Sequence, residues 1–287
     1  MIKSTIKHAL TAVALAASAV GSANAFVIVG GDFKMTIDLY DSATASYTST
    51  CNSVATCDAA VAPGGKAAGS IGSVNTSSDT MGIFSIASIT RVSDNFQWFT
   101  RGADGFLTGI FGNLQDSSVS LFGPFVATTS VGGTFSVYKN ASDYNTALGP
   151  NVGAGKDLNA GLYPGISGGQ LVLQGVFGSG ALLSDTTTTF SSVYNAAGIS
   201  GNSSAYLDVT GEDWAYHFDT DSEDGLNGEV RDLKATFTFS PTADAISKGW
   251  TVASTADIGG STVPEPGALA LIALGLLGAG AATRRKA

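Results

Sequence analysis

The sequence predicts an all-β protein whose body is an antiparallel β-sandwich or barrel-like domain. Three observations carry that expectation. Several short stretches alternate polar and apolar residues with a period of two, the pattern of half-buried strands. Gly, Ser, Asn, Asp and Thr, the residues of turns, sit between those stretches. Glycine numbers 37 and charged residues make up only 13%, which leaves little room for long amphipathic helices.

Read in order, the chain opens with a segment to be set aside from the fold. Lys3 and Lys7 form a positive start, an apolar run follows from Ala9 to Val20, and Ala23 and Ala25 put small residues where a signal peptidase reads. Residues 1–25 are therefore expected to be a helical signal peptide, with Phe26 the first mature residue. Residues 26–254 are expected to be one β-rich extracytoplasmic domain, large enough for a single core. Strands are predicted at residues 34–41, 82–89, 95–100, 106–111, 118–122, 135–138, 170–174, 205–209, 214–218 and 234–240. Residues 143–148 read as a helical turn. Residues 42–79 and 179–204 read as loops, and no fixed-period repeat supports a solenoid. Residues 255–263 read as a short linker that lets the body stand off a membrane.

Charge bounds the partners. Loss of both ends removes Lys3, Lys7, Arg284, Arg285 and Lys286, leaving nine bases against 23 acids, a mature net charge of −14. So acidic a body repels phosphate backbones, and nucleic-acid binding is excluded as a function class. Cys51 and Cys57 are the only cysteines, and an exported chain meets an oxidising compartment. A disulfide between them is expected to staple a small loop, worth about 2 kcal/mol by chain entropy.

Candidate chemistry is sparse. Eight of the 23 acids fall between Glu212 and Asp232. Within that stretch Asp219, Asp221, Glu223 and Asp224 place oxygens as the start of a calcium loop does. The pattern departs from an EF-hand, since Asp224 stands where the turn glycine belongs and Glu229 closes one residue early. A solvated acidic loop is the competing reading, so no cofactor is expected except calcium at this loop. Glu212 and Glu229 are the pair a glycosidase would need. Gly165-Ile166-Ser167-Gly168-Gly169 has the letters of a nucleophile elbow, but a strand rather than a helix follows it, and His217 is the one histidine of the body. His217 reads as an ordinary strand residue, Trp98, Trp214 and Trp250 as core, and the body as non-enzymatic.

The last two dozen residues are the most specific. Val263, Pro264, Glu265 and Pro266 lead into an uncharged run, residues 268–282, closed by Arg284, Arg285 and Lys286. Fifteen helical residues rise about 22 Å, short of a hydrocarbon core of roughly 30 Å. The segment is thus a marginal transmembrane helix, held by bilayer thinning, by snorkelling of its basic end or by a partner protein, and that basic end stays on the cytoplasmic side. The two prolines keep the preceding chain extended, as a protease-like site requires. This pattern resembles the PEP-CTERM sorting tail of exported bacterial proteins. The blocks at 133–138, 168–175, 205–209 and 217–220 are similar to segments of such proteins and carry no catalytic residue.

The resemblance implies that residues 264–287 are a sorting signal read by an exosortase. It implies transit through the inner membrane, then the cell surface or extracellular matrix, with signal peptidase and exosortase as processing partners. The expected role is a structural protein of the surface or of a biofilm-like matrix. Its rivals are a module binding polysaccharide or calcium, and, behind that, a hydrolase.

Overall fold

The computed structural model describes residues 28, 30–42, 80–148, 165–195, 200–248, 250 and 252–263. Among these, the strands are β1 (Gly31–Ser42), β2 (Thr80–Arg91), β3 (Gln97–Thr100), β4 (Phe106–Phe122), β5 (Phe125–Asn140), β6 (Gln170–Gly178), β7 (Phe190–Asn195), β8 (Gly201–Gly211), β9 (Glu223–Asp224), β10 (Val230–Arg231), β11 (Leu233–Ser240) and β12 (Val252–Thr262). Two short helices, α1 (Ala215–Phe218) and α2 (Ala243–Ser247), interrupt them.

Eight strands close on themselves as an antiparallel barrel in the order β1-β12-β11-β8-β6-β5-β4-β2, and β2 returns to β1. Closure leaves the ring without an unpaired edge. Two slots of the ring are shared by pairs of strands lying end to end. Between β5 and β8, Gly178 of β6 stands opposite Tyr206 and Phe190 of β7 opposite the next residue, Ala205. Residues 179–189 are thus an excursion out of one interrupted strand. Beside β2, β3 and β4 divide the same edge in the same way.

Side chains fill the interior, as an eight-stranded ring of this size demands. Met35, Ile37, Phe84, Phe111, Phe135, Phe177 and Leu207 point inward, and the remaining void is about 50 Å³, lined by apolar side chains alone. Phenylalanines face glycines across neighbouring strands: Gly82 pairs with Phe111, Gly109 with Phe84 and Gly175 with Phe135. Each ring lies over its partner's backbone, so a Cβ on Gly109 would sit 2.1 Å from Phe84 Cζ. Alternating large and absent side chains lets rings interdigitate in a narrow tube. A second, smaller cluster lies outside the wall, where Ile83 and Ile110 meet Ile166, Ala245 and Trp250. Trp250 Nε1 donates to the Thr146 carbonyl at 2.9 Å, tying the start of β12 to the loop after β5.

Several expectations are corrected here. Residues 255–263, expected to be a linker, are almost wholly strand: β12 pairs with β1 and β11 over its length and closes the barrel. The domain therefore runs to Thr262 rather than 254. The Gly-Gly-Ser-Thr of 259–262 looks linker-like, yet Gly260 faces the Leu233 side chain so closely that no larger residue fits. Residues 214–218, expected to be a strand, form the single turn α1. Trp214 and Phe218 satisfy a period of two, but they also satisfy the i, i+4 spacing of one helix face. Tyr216, 52% exposed, shows that the helical period is the one in use. His217 is accordingly a buried helical residue, not a strand residue. Residues 179–204 hold β7 and the start of β8 rather than a continuous loop, and the stretches 106–111 and 118–122 join into the single strand β4, with a register shift at Asp116/Ser118. The helical turn expected at 143–148 is a 3-10 turn at Thr146–Leu148.

Candidate functional site

The end of β12 is where the fold meets the sorting tail. Five hydrogen bonds hold its last residues. Ser261 N donates to Ser222 Oγ (3.0 Å) and Thr220 Oγ1 donates to the Ser261 carbonyl (3.1 Å). Thr262 Oγ1 donates to the Gly31 carbonyl (3.3 Å). Val263 N donates to the His217 carbonyl (3.1 Å), and His217 Nδ1 lies 3.2 Å from the Val263 carbonyl, which accepts from it. His217 is buried beneath this clasp, and the Tyr216 ring lies 3.9 Å from its own. α1 also plugs this mouth of the barrel, with Phe218 edge-on to Phe33 at 5.3 Å.

The acidic loop supplies the other half of the clasp. Its organising residue is Asp232, which is buried. Its Oδ1 accepts from the backbone N–H of Thr220 (2.7 Å) and Asp221 (2.9 Å), and its Oδ2 from Val209 (2.7 Å). A carboxylate met by three amides holds the loop against β8. Asp221 takes a positive φ of 48° where the chain turns around that carboxylate. Asp219 ends α1, its N–H bonded to the Ala215 carbonyl at 2.8 Å. Glu223 and Asp224 are β9 itself, paired with β10, so neighbouring acids point to opposite sides. Burial raises the Glu223 carboxyl above its ordinary range, against the opposing pull of Lys234. Among the described residues, no group of three or more His, Cys, Asp or Glu is disposed to hold a metal ion.

Beside this loop, the excursion 179–189 is fastened by Asn227, whose Nδ2 donates to the Leu182 and Asp185 carbonyls (both 3.1 Å) and whose Oδ1 accepts from Ser184 N (2.6 Å). Arg231 reaches the Ser179 carbonyl (2.9 Å) and Asp208 (3.1 Å). Glu229, one of the two glutamates weighed as a catalytic pair, accepts from Asn227 N at 3.1 Å, while Glu212 sits at a left-handed turn with φ 81°.

The residues with the letters of an elbow lie elsewhere. Ile166 packs on Trp250, just before β12, whereas His217 bonds Val263, just after it. The length of that eleven-residue strand, about 33 Å, separates them. Ser167 and His217 are not brought together.

Of the predicted sorting residues, Val263 is described and is 44% exposed. Pro264, Glu265, Pro266, Arg284, Arg285 and Lys286 lie outside the described residues, as do Ala23, Ala25 and Phe26 at the processing site and the Cys51 and Cys57 pair. Among the described residues no helix is long and apolar enough to cross a membrane; residues 268–282 are not among them. Sequence reading passed over Asp232 as one acid among many. Its neighbours, Arg231 and Leu233, do not mark it out from the other acids of that stretch.

Residues 262–286 match the PEP-CTERM protein-sorting motif. The chain is therefore a PEP-CTERM domain-containing protein, an exported substrate of exosortase that is sorted to the cell surface by way of the membrane. Neither a curated protein nor a solved structure matches it. The motif begins at the last residue of β12, so the barrel and the sorting signal abut with no spacer.

Proposed function

We propose that the barrel is a non-enzymatic structural component of the cell surface or extracellular matrix. The observation that carries this reading is the junction at Thr262 and Val263, where a closed, side-chain-filled barrel runs straight into the sorting motif. A closed barrel has no edge to template aggregation during export, and a filled one offers no internal chamber for a substrate. Signal peptidase removes residues 1–25, and residues 268–282 hold the chain in the inner membrane until exosortase acts near Pro264-Glu265-Pro266. Cys51 and Cys57 form a disulfide once outside.

Intact mass of the protein recovered from the surface fraction tests this. A single species lacking both ends, two hydrogens lighter than the reduced chain, is the expected result. Scrambling Pro264 to Pro266 should leave the tail attached and the protein in the membrane fraction. Delivery and trimming unaffected by that change would end the reading. A calcium-dependent rise in melting temperature, lost in Asp221→Asn, would instead support calcium on Asp219, Asp221, Glu223 and Asp224, although no three carboxylates among the described residues are disposed around one ion.

A further inference from the structure

At the end of the barrel remote from the clasp, a groove of about 980 Å³ runs across the outer face of β1, β12, β11 and β8. Strand register sets one row of side chains along its floor: Asp38 stands opposite Thr255, Thr255 opposite Thr238, and Thr238 opposite Asn202. Three strand spacings make that row about 14 Å long. Thr238 Oγ1 donates to Asn202 Oδ1 at 3.0 Å, which turns the Asn202 amide so that its N–H groups are left to donate. Asp38 Oδ2 takes the Arg101 guanidinium at 2.7 Å, and Arg101 Nε lies 3.7 Å from Asp143, so both carboxylates are held in place. Tyr40 and Tyr144 form one wall, their ring centroids 6.1 Å apart and their planes tilted by 60°. Burial, with the Asp38 carboxylate second, pushes the Tyr144 hydroxyl up, so it stays a neutral donor.

We propose that this groove binds a neutral polysaccharide chain. A sugar ring presents hydroxyls at its rim and C–H groups on its faces. Fixed carboxylates, an amide and threonine hydroxyls match the rim, and the tyrosine wall, in which Lys248 Nζ lies over the Tyr40 ring at 5.2 Å, offers its remaining apolar surface to the C–H groups. The groove holds two carboxylates against one guanidinium, so an acidic polymer is repelled by it and by the acid excess of the whole protein. A peptide partner would need a free strand edge or an apolar anchor pocket, and the floor here is a paired, polar sheet face. The inference concerns ligand binding in solution and stands apart from how the protein is delivered.

Calorimetry on the full chain in a sugar-free detergent tests it, with hexasaccharides of glucose and of N-acetylglucosamine and an oligouronate of equal length. At least one neutral hexasaccharide should bind in about the millimolar range or tighter. Asn202→Ala combined with Thr238→Val, both at exposed positions, should weaken that binding about tenfold without moving the melting temperature. Absence of binding by both neutral probes overturns the proposal. So does binding unchanged in the double variant, or an oligouronate that binds as well as the neutral chains. Since none of these readouts involves the sorting tail, a failure here leaves the delivery reading intact, and the reverse.

Discussion

Asp232 shows how much one buried carboxylate can organise. Its two oxygens satisfy three amides from two segments, and the segments it joins are β8 and the loop that clasps the end of β12. Asp232→Ala would orphan those amides and is expected to lower stability by about 3 kcal/mol, a loss of roughly 10 °C in melting temperature. Thermal denaturation followed by circular dichroism checks it. Asp185 acts on the excursion between β6 and β7. The Thr188 hydroxyl first, then the hydroxyl and N–H of Thr187, hold its carboxyl down at about 2. A depressed carboxylate contributes stability that is present above its unfolded value, near 4, and is lost as pH falls through the folded one. The melting-temperature gap between the natural chain and Asp185→Asn should therefore be full at pH 5 and close as pH approaches 2. A gap that stays constant over that window would mean the charge of Asp185 contributes nothing. Neither carboxylate's role was legible in the sequence, because a side chain's hydrogen-bond partners depend on which distant backbone turns toward it.

The strands were the legible part at the scale of elements. Periods of two around Ile37, Val137, Leu173 and Phe237 found β1, β5, β6 and β11, since each has one wet face and one buried face. What was not legible is the use of glycine inside the barrel. Gly82, Gly109 and Gly175 look like turn or linker residues by composition, yet each is the empty half of a phenylalanine pair. A pair is a cross-strand property, and register is not written in either strand alone. Gly109→Ala is expected to destabilise by about 1–3 kcal/mol, because the new Cβ meets the Phe84 ring within a filled tube. Adding Phe84→Leu should return part of that loss, and denaturant melts of the single and double variants measure it. If Gly109→Ala costs nothing, the ring does not lie over the glycine. The same cause hid β12: from Ser254 to Thr262 its buried row is Ser, Ala, Ile, Gly and Thr, and one large apolar residue, Ile258, is too few to announce a strand.

At the scale of the molecule, the tail was legible as an address because its grammar is local, and the body's delivery follows from it. The body's boundary was not, since only the ring shows that the last strand before the tail is structural. β12 is hydrogen-bonded to β1 on one side and β11 on the other, so the barrel is complete only when residues 252–262 have been made. Among the described strands it is the last in chain order, and it joins β1 to β11. Two chains separate this from a tethering role. One ends at Val263 and keeps β12 with its clasp; the other ends at Ala253, near the boundary that composition suggests. The longer chain should melt cooperatively and hold its aromatic near-ultraviolet signal. The shorter one should lose both, since removing β12 bares the edges of β1 and β11 and exposes Met35, Leu233 and Phe33 to water. Should the shorter chain melt cooperatively at the same temperature, β12 would be an appendage after all. The expected result has a consequence for processing. Cleavage at or beyond Pro264 leaves the barrel whole, whereas cleavage a few residues earlier would open it, so the clasp of His217, Thr220 and Ser222 marks how close to the fold the processing enzyme can cut.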